Sequence, residues 1–386
     1  MAVVAASPFS AGQPPSSGRQ RRVNSHGGHT AASSDDEREV APSRAPLAAV
    51  LPGDEQRAVA TILDLVGQAG VQASPLDVVT FFVALKTKPL VILVGPGGSG
   101  KVTLVRTGAK VLAGVGSPSY QEMVGHAWWS SGCTMLAQAQ ARFNVEKVLA
   151  FATETLLRRN SEWLRIACLA RISSAELTMI FAELAPQIHR GWVRKLGGSF
   201  LSRRAAFPPN LTLVGTLDEP AVRGWDLDLF PQTCVVTWSP RPAPPVARGH
   251  TGDGTSPEGL PLHSLSVRTS QAACQKIRQI EGYRPQALKP LFELAQLLGD
   301  SRMPAPSRII GEAVVFIANA WSFDGVGLFD RDGEDNLMLA LDAALASSIL
   351  PHVAPIVATL SIASRRSLRA LLANFPRALT VAGPWL

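Results

Sequence analysis

Gly95-Pro96-Gly97-Gly98-Ser99-Gly100-Lys101 has the residue types and the spacing to hold phosphate oxygens. It fills the first seven positions of G-x-x-x-x-G-K-[S/T], a loop that wraps a polyphosphate in main-chain N–H groups. Glycines suit that task because successive inward N–H groups need dihedrals that side chains obstruct. Lys101 adds a mobile point charge. The eighth position departs from the pattern: Val102 stands where a hydroxyl would hold Mg²⁺. Thr103 follows one residue later, about 100° round a helix, so it is not a simple replacement. The bland alternative is a glycine-rich turn carrying a surface lysine.

Such a loop must sit between a buried strand and a helix N-terminus. Val91-Ile92-Leu93-Val94 supplies the strand, four apolar residues of which three are β-branched. From Lys101 onward the apolar spacing turns helical, with Leu104, Val105, Ala109 and Val111, and the unpaired N–H groups of that helix point at the same anion. Ahead of the strand, Ile62, Leu65 and Val66 predict one amphipathic helix. Leu76, Val79, Phe82 and Leu85 predict a second, opened by Ser74-Pro75 and broken by Lys86-Thr87-Lys88-Pro89.

The 386 residues allow two or three domains. A hydrophobic share of 46% and a charged share of 17% fit a globular protein light in charge, and a net charge of +7 permits nucleic-acid contact without arguing for it. Cys133, Cys168, Cys234 and Cys274 are too dispersed for a zinc ribbon or a disulfide framework, so free thiols are expected. The sequence shows neither a basic-then-apolar leader nor eighteen consecutive apolar residues, and the expectation is a cytoplasmic protein without a membrane span. Residues 1–45, rich in Ala, Ser, Pro, Gly and Arg, read as a disordered tail.

Further along, residues 113–143 allow a short strand with loops, Trp128 and Trp129 being a core anchor or a contact surface. A helix is expected over Val145–Arg159. Trp163–Leu169 reads as a central strand, but it ends in Ala170-Arg171 where a hydrolytic phosphate loop wants one or two carboxylates. Glu176 and Glu183, on or near the next helix, are the unconventional acids to consider, against the plainer reading of surface charge. Leu211–Thr216 is another strand, whose end brings Thr216 and Asp218 toward a γ-phosphate, since open α/β sheets place ligands at strand C-termini. Cys234–Trp238 is one more strand. Residues 241–275, rich in proline and glycine, read as a linker or insertion. Helices follow over Pro285–Leu298, Arg308–Ala320, Asn336–Ser348 and Ser367–Asn374, and the acidic loop Asp324–Asp335 lacks the spacing of a calcium loop.

The arrangement resembles an AAA+ P-loop NTPase, and more closely the McrB-like, restriction-associated branch. Ala84–Leu93 is similar to the lead-in to that family's loop, and Pro208–Thr216 to the segment ending at its γ-phosphate-sensing residue. Leu341-Asp342 and Ile349-Leu350-Pro351 resemble its final helices. The likeness is spread over roughly residues 75–375, and the phosphate loop is its one specific motif. It implies an αβα sandwich as a large domain over 46–240, followed by a helical small domain over 276–386. It also implies a bound ATP (or GTP), Mg²⁺, assembly with like or unlike AAA+ subunits, and a nuclease partner acting on DNA.

Residue by residue, the family's nucleotide contacts fall on Gly95, Pro96, Gly97, Gly98, Ser99, Gly100, Lys101, Val102 and Thr103. The catalytic positions fall on or near Asp218, Glu176 and Arg308, the last as a small-domain contact to phosphate. The departures are Val102, Ala170-Arg171 in place of an Asp-Glu pair, Asp218 in place of a sensing asparagine, and Asp228-Leu229 where a trans-acting arginine belongs, with Arg223 nearby. No metal ligand is assigned, and the need for Mg²⁺ stays open. The resulting expectation is a nucleotide-binding subunit with weak or absent hydrolysis. The alternatives are an active ATPase or GTPase drawing its acids from Glu176, Glu183 or Asp218, a P-loop kinase, and a protein without nucleotide.

Overall fold

In the computed structural model the described residues are 52–113, 119–125, 134–157, 163–173, 176–184, 207–218, 233–242, 259–281, 285–299, 306–357 and 359–386. The apolar run before the loop is strand β2, Leu90–Val94, buried at every residue. A strand apolar on both sides must be covered on both faces, and this one is an inner strand of a five-stranded parallel sheet. Its partners are β5 (Leu211–Leu217) on one side, in the register Leu90↔Leu213, and β6 (Thr233–Thr237) on the other, in the register Leu90↔Thr233. Beyond β5 lie β4 (Arg165–Ala170) and then β3 (Tyr120–Val124), giving the order β3-β4-β5-β2-β6. A short antiparallel pair, β1 (Val71–Gln72) with β7 (Arg241–Pro242), lies outside this sheet.

Strand alternation divides the core in two. Leu90, Ile92 and Val94 face one apolar cluster with α4 (Thr134–Leu157) and a helical run over residues 176–184, here α5. Val91 and Leu93 face the other, built from α1 (Asp54–Gln68), α2 (Pro75–Thr87) and α3 (Lys101–Ala113). That second cluster runs on without a break into the C-terminal helices. These are α7 (Ser270–Glu281), α8 (Lys289–Gly299), α9 (Pro306–Asn319), α10 (Gly333–Ala344), α11 (Leu350–Val357), α12 (Ile362–Leu372) and α13 (Pro376–Ala382), after a short α6 (Leu262–Leu265). All the described residues fall in one contact unit, Pro46–Leu386. The chain is thus α/β, a parallel sheet between two helical layers.

Several expectations shift. The Pro/Gly-rich stretch read over 241–275 as a linker or insertion carries, among its described residues, β7, α6 and the start of α7, and buries Leu260, Leu262, Leu265 and Ala273. Apolar pairs spaced among prolines gave no periodicity to detect. The helix placed over 336–348 turns after Ala344 into a π segment, Leu345–Ile349, packed against β6. In the acidic loop Asp332 caps α10, accepting from the N–H groups of Glu334 and Asp335. Cys168 and Cys234 are buried free thiols. The tail 1–45, Cys133, Trp128, Trp129, Arg223 and Asp228-Leu229 lie outside the described residues.

Two lysines of the segment expected merely to break α2 are buried, and each has an acidic partner. Lys86 Nζ lies 2.7 Å from Glu55 of α1, the two side chains being 0% and 1% exposed, and also donates to the carbonyl of Trp321 at 3.1 Å. Lys276 donates to that carbonyl as well, at 2.9 Å. Burial, then the charge of Lys86, pushes its ammonium down to about 8, against the pull of Glu55 and Asp324. Lys88 pairs with Glu312 of α9. At the C-terminus Arg377 clasps α2, donating to Asp77, to Thr80 Oγ1 (2.8 Å) and to the carbonyl of Leu76 (3.2 Å). Asp342 of α10 takes the N–H groups of Arg377 and Ala378, so one helix caps the start of another. His352, fully buried, is held well below its usual value, at about 3, by burial and by the charge of Lys88, against a hydrogen bond with the Thr233 backbone.

Two stability tests follow from these buried groups. Lys86→Met leaves the Glu55 carboxylate without its ammonium and is expected to cost about 3–5 kcal/mol in urea denaturation, most of it recovered by adding Glu55→Leu. Below pH 6.5 the unfolded chain protonates His352 while the folded chain does not until about pH 3, so stability falls with acid across that window. The slope from this group approaches about 1.4 kcal/mol per pH unit, and His352→Gln flattens it in denaturation curves taken between those limits.

Candidate functional site

Three strand ends build the site. β2 delivers residues 95–100, β5 delivers Asp218 and β6 delivers Trp238. Gly95 is the tightest point. Its N–H donates to the carbonyl of Leu217 at 3.3 Å, and a Cβ on it would stand 1.9 Å from the carbonyl oxygen of Trp238. Only glycine fits between the two flanking strands. Gly98 and Gly100 have φ of 74° and 85°, in the left-handed region, and Gly100 also lies against Val71 of β1. Trp238 Nε1 donates to the carbonyl of Ser99 at 2.8 Å and so braces the turn from behind. Neither Trp238 nor Val71 was singled out in the sequence. The available signal for the first was an aromatic residue closing a strand that must lie beside the loop.

Pro96, Gly97 and Gly98 are exposed, so the outer side of the turn is open to solvent. Among the described residues the N–H groups of Gly97, Gly98 and Gly100 have no protein acceptor. Those of Lys101, Val102 and Thr103 lie in the first turn of α3, where no intrahelical acceptor exists. The result is a group of donors with the positive end of a helix behind them, the arrangement that attracts an anion.

Lys101 does not reach outward. Its side chain is 4% exposed, and its ammonium donates to the carbonyls of Gly95 (2.9 Å) and Pro96 (2.7 Å) and to Ser99 Oγ (3.4 Å). It also pairs with Asp218 Oδ1 at 2.8 Å, where Asp218 itself is 38% exposed. The other carboxylate oxygen lies 3.6 Å from the place a Cβ on Gly97 would take. The sequence-predicted Asp218 therefore stands against the loop, directly on its lysine. The structure brings these two together because β5 is the hydrogen-bonded neighbour of β2.

The other candidates are placed differently. Glu176 forms a capping box with Ser173: Ser173 Oγ accepts from the Glu176 N–H at 3.2 Å, and Glu176 Oε2 accepts from the Ser173 N–H at 3.5 Å. It is buried beside Gly125, at the end of β3, in a role that holds a helix start. Glu183 is exposed on α5. Arg308 is in the first turn of α9, and its side chain lies outside the described residues. Val102 is half-buried and packed on the core, and Thr103 is half-buried beside it.

Arg171, where an acidic pair was expected, has φ 54°. For a residue with a Cβ this left-handed conformation is uncommon. Thr216 holds it there, its Oγ1 accepting from the Arg171 N–H at 2.9 Å and its carbonyl from the Ile172 N–H at 3.0 Å. The Arg171 charge is felt at Glu122 of β3. Burial pushes that carboxyl up, but hydrogen bonds from Arg106 and Tyr120 and the charges of Arg106 and Arg171 hold it below its ordinary value.

What this geometry can do is bounded. It offers an anion several N–H groups, a helix end and one ammonium. Among the described residues the carboxylate of Asp218 stands beside them, and Ala170-Arg171 ends β4, one strand beyond β5. Among the described residues no cluster of three His, Cys, Asp or Glu is placed to hold a metal ion, and no helix is long and apolar enough to cross a membrane. Comparison with known proteins finds no family model that matches the chain and no matching curated protein.

The glycines give a graded test of the loop. Gly95→Ala forces a Cβ into backbone and is expected to cost about 3 kcal/mol or more. Gly98→Ala meets nothing within 4 Å and costs only the left-handed backbone, about 1–2 kcal/mol. Thermal denaturation of the two variants, side by side, checks the difference.

Proposed function

We propose that the chain is a P-loop nucleotide-binding protein of the AAA+ type that holds ATP with weak or absent hydrolysis. It works as a subunit of an assembly, alongside like or unlike AAA+ subunits. One observation carries this reading: a solvent-facing turn of the phosphate-loop pattern, set on the tip of a buried parallel strand, with its lysine at the turn. The place of β5 between the loop strand and β4 supports the AAA+ likeness, because a strand that senses the γ-phosphate has to end beside the loop. Weak hydrolysis follows from Val102 and from Ala170-Arg171. Without a hydroxyl at 102 and an acidic pair at 170–171, developing charge is met by loop amides and Lys101, and among the described residues the usual acids that hold metal and align water are missing from those positions.

The McrB-like likeness extends the proposal to DNA restriction or phage defence in the cytoplasm, with a nuclease partner and indirect contact with DNA. The sequence carries no Asn-Lys-x-Asp guanine-reading motif, which favours ATP over GTP. A second reading has a specific observation behind it: the Asp218 carboxylate at the loop is an acid of the kind an active ATPase or GTPase needs, with Glu176 a more distant candidate.

Calorimetric titration with ATP and with GTP separates these readings. ATP is expected to bind, Lys101→Ala to weaken it by at least about tenfold, and turnover to stay near background. Robust turnover that depends on Lys101 would establish the second reading. Binding that is absent, or unchanged by Lys101→Ala, would remove both.

A further inference from the structure

Arg171 leaves β4 at the edge of the sheet where open α/β folds bind ligands, level with the phosphate loop. Parallel register sets that height: Leu169 pairs with Gly215 and Val94 with Leu217, so Arg171 is level with Leu217 and with the root of the loop. Two strand spacings, about 10 Å, separate it from β2. α3 fixes its side of the sheet. Val102 and Arg106 lie on one face of that helix, Arg106 reaches Glu122 of β3 at 2.7 Å, and the Arg171 charge is felt at the same carboxylate. The guanidinium so shares its flank of the sheet with the first turns of α3, whose N-terminus is the loop itself.

The Arg171 backbone is strained. With φ 54° it is the non-glycine residue found in the left-handed region among the described residues, a conformation that glycine or asparagine takes at less cost. Thr216 over-determines it through both its hydroxyl and its carbonyl. The side chain is exposed, and among the described residues no hydrogen bond or ion pair holds its guanidinium. A long cation at a position that favours glycine, unbonded to the scaffold, points to a ligand.

The residues on this flank do not fit a divalent cation. Val102 and Ala170 present methyl groups, Arg171 a positive charge that repels a metal ion, and Asp218 is already engaged by Lys101 at 2.8 Å. They fit the outer end of a polyphosphate, which an arginine meets with a fork of donors.

We propose that Arg171 takes the outermost phosphate of a nucleoside triphosphate seated on the loop, so that the chain selects the metal-free nucleotide. Loop N–H groups and Lys101 hold the inner phosphates, and the guanidinium neutralises the end that extends past β5. Added Mg²⁺ competes with Arg171 for the same phosphate oxygens. The inference rests on the nucleotide-binding reading and names the form of nucleotide that this site takes.

The test is calorimetric titration of the intact chain with ATP and with ADP, in EDTA and in excess Mg²⁺, for the wild type, Arg171→Gly and Arg171→Asn. Both substitutions suit a left-handed backbone, and circular dichroism with thermal melting checks that each variant is folded. The wild type is expected to bind ATP in EDTA at least as tightly as in Mg²⁺. Both variants are expected to lose about tenfold or more of that ATP affinity and distinctly less of the ADP affinity. Tighter wild-type binding of ATP with Mg²⁺ overturns the inference. So does an unchanged ATP affinity in the folded variants, which would leave Arg171 a matter of scaffold alone. An equal loss for ATP and ADP also overturns it, because it would reduce Arg171 to a distant field. Each of these results retains Lys101-dependent binding. Absence of that binding in both buffers is a different outcome: it removes the nucleotide-binding reading, and this inference with it.

Discussion

The closeness of three parallel strand ends governs this molecule. β2 is hydrogen-bonded on both sides, so the chain leaving it has no lateral room, and the carbonyl of Trp238 stands where a side chain at position 95 would begin. The turn that follows is therefore cramped at its root and open at its tip. From that one restriction come the glycine at the root, the indole that braces the Ser99 carbonyl, and the arrival of Asp218 at the lysine. The site is a by-product of strand order as much as of its own motif.

The same strand order distributes the chemistry unevenly. The β5 end, next to the loop, carries a carboxylate. The β4 end, one strand further away, carries a strained arginine whose backbone is pinned by Thr216 and whose charge acts on Glu122. In a hydrolytic site of this resemblance the acids would belong to β4. Here, among the described residues, the acid against the loop comes from its immediate neighbour β5, and Glu176 serves a helix cap. Acidic residues near such a site thus divide between building the scaffold and facing the ligand, and residue type alone does not separate them.

Sequence periodicity revealed what depends on near neighbours. The run Val91–Val94, the helix opened by Pro75 and the strands beginning near 165, 211 and 233 were legible because burial on both faces or on one leaves a local pattern. Asp218 was legible as a strand-end residue, but its contact with Lys101 was not, since the pairing of β5 with β2 is written nowhere locally. Lys86 and Lys88 do end α2 as read, with Lys88 extended beyond Thr87, but their ion pairs were hidden for the same reason. Their acidic partners lie 31 and 224 residues away in the chain. Leu260, Leu262 and Leu265 were hidden by the prolines and glycines around them, which signal turns whether or not the segment is packed.

The clasp between Arg377 and α2 has a consequence for how the protein is made. Asp77 and Arg377 are 300 positions apart, so a ribosome adding about 5–20 residues each second needs roughly 15–60 s to supply the second after the first. For that interval α2 lacks this clasp, and its Phe81, Phe82 and Val83, fully buried in the finished molecule, gain their cover in stages as α3, β6 and then α9 follow α1 out of the ribosome. Closure of that core is thus paced by translation, and the last link to be added is the one that ties the C-terminal helix to α2.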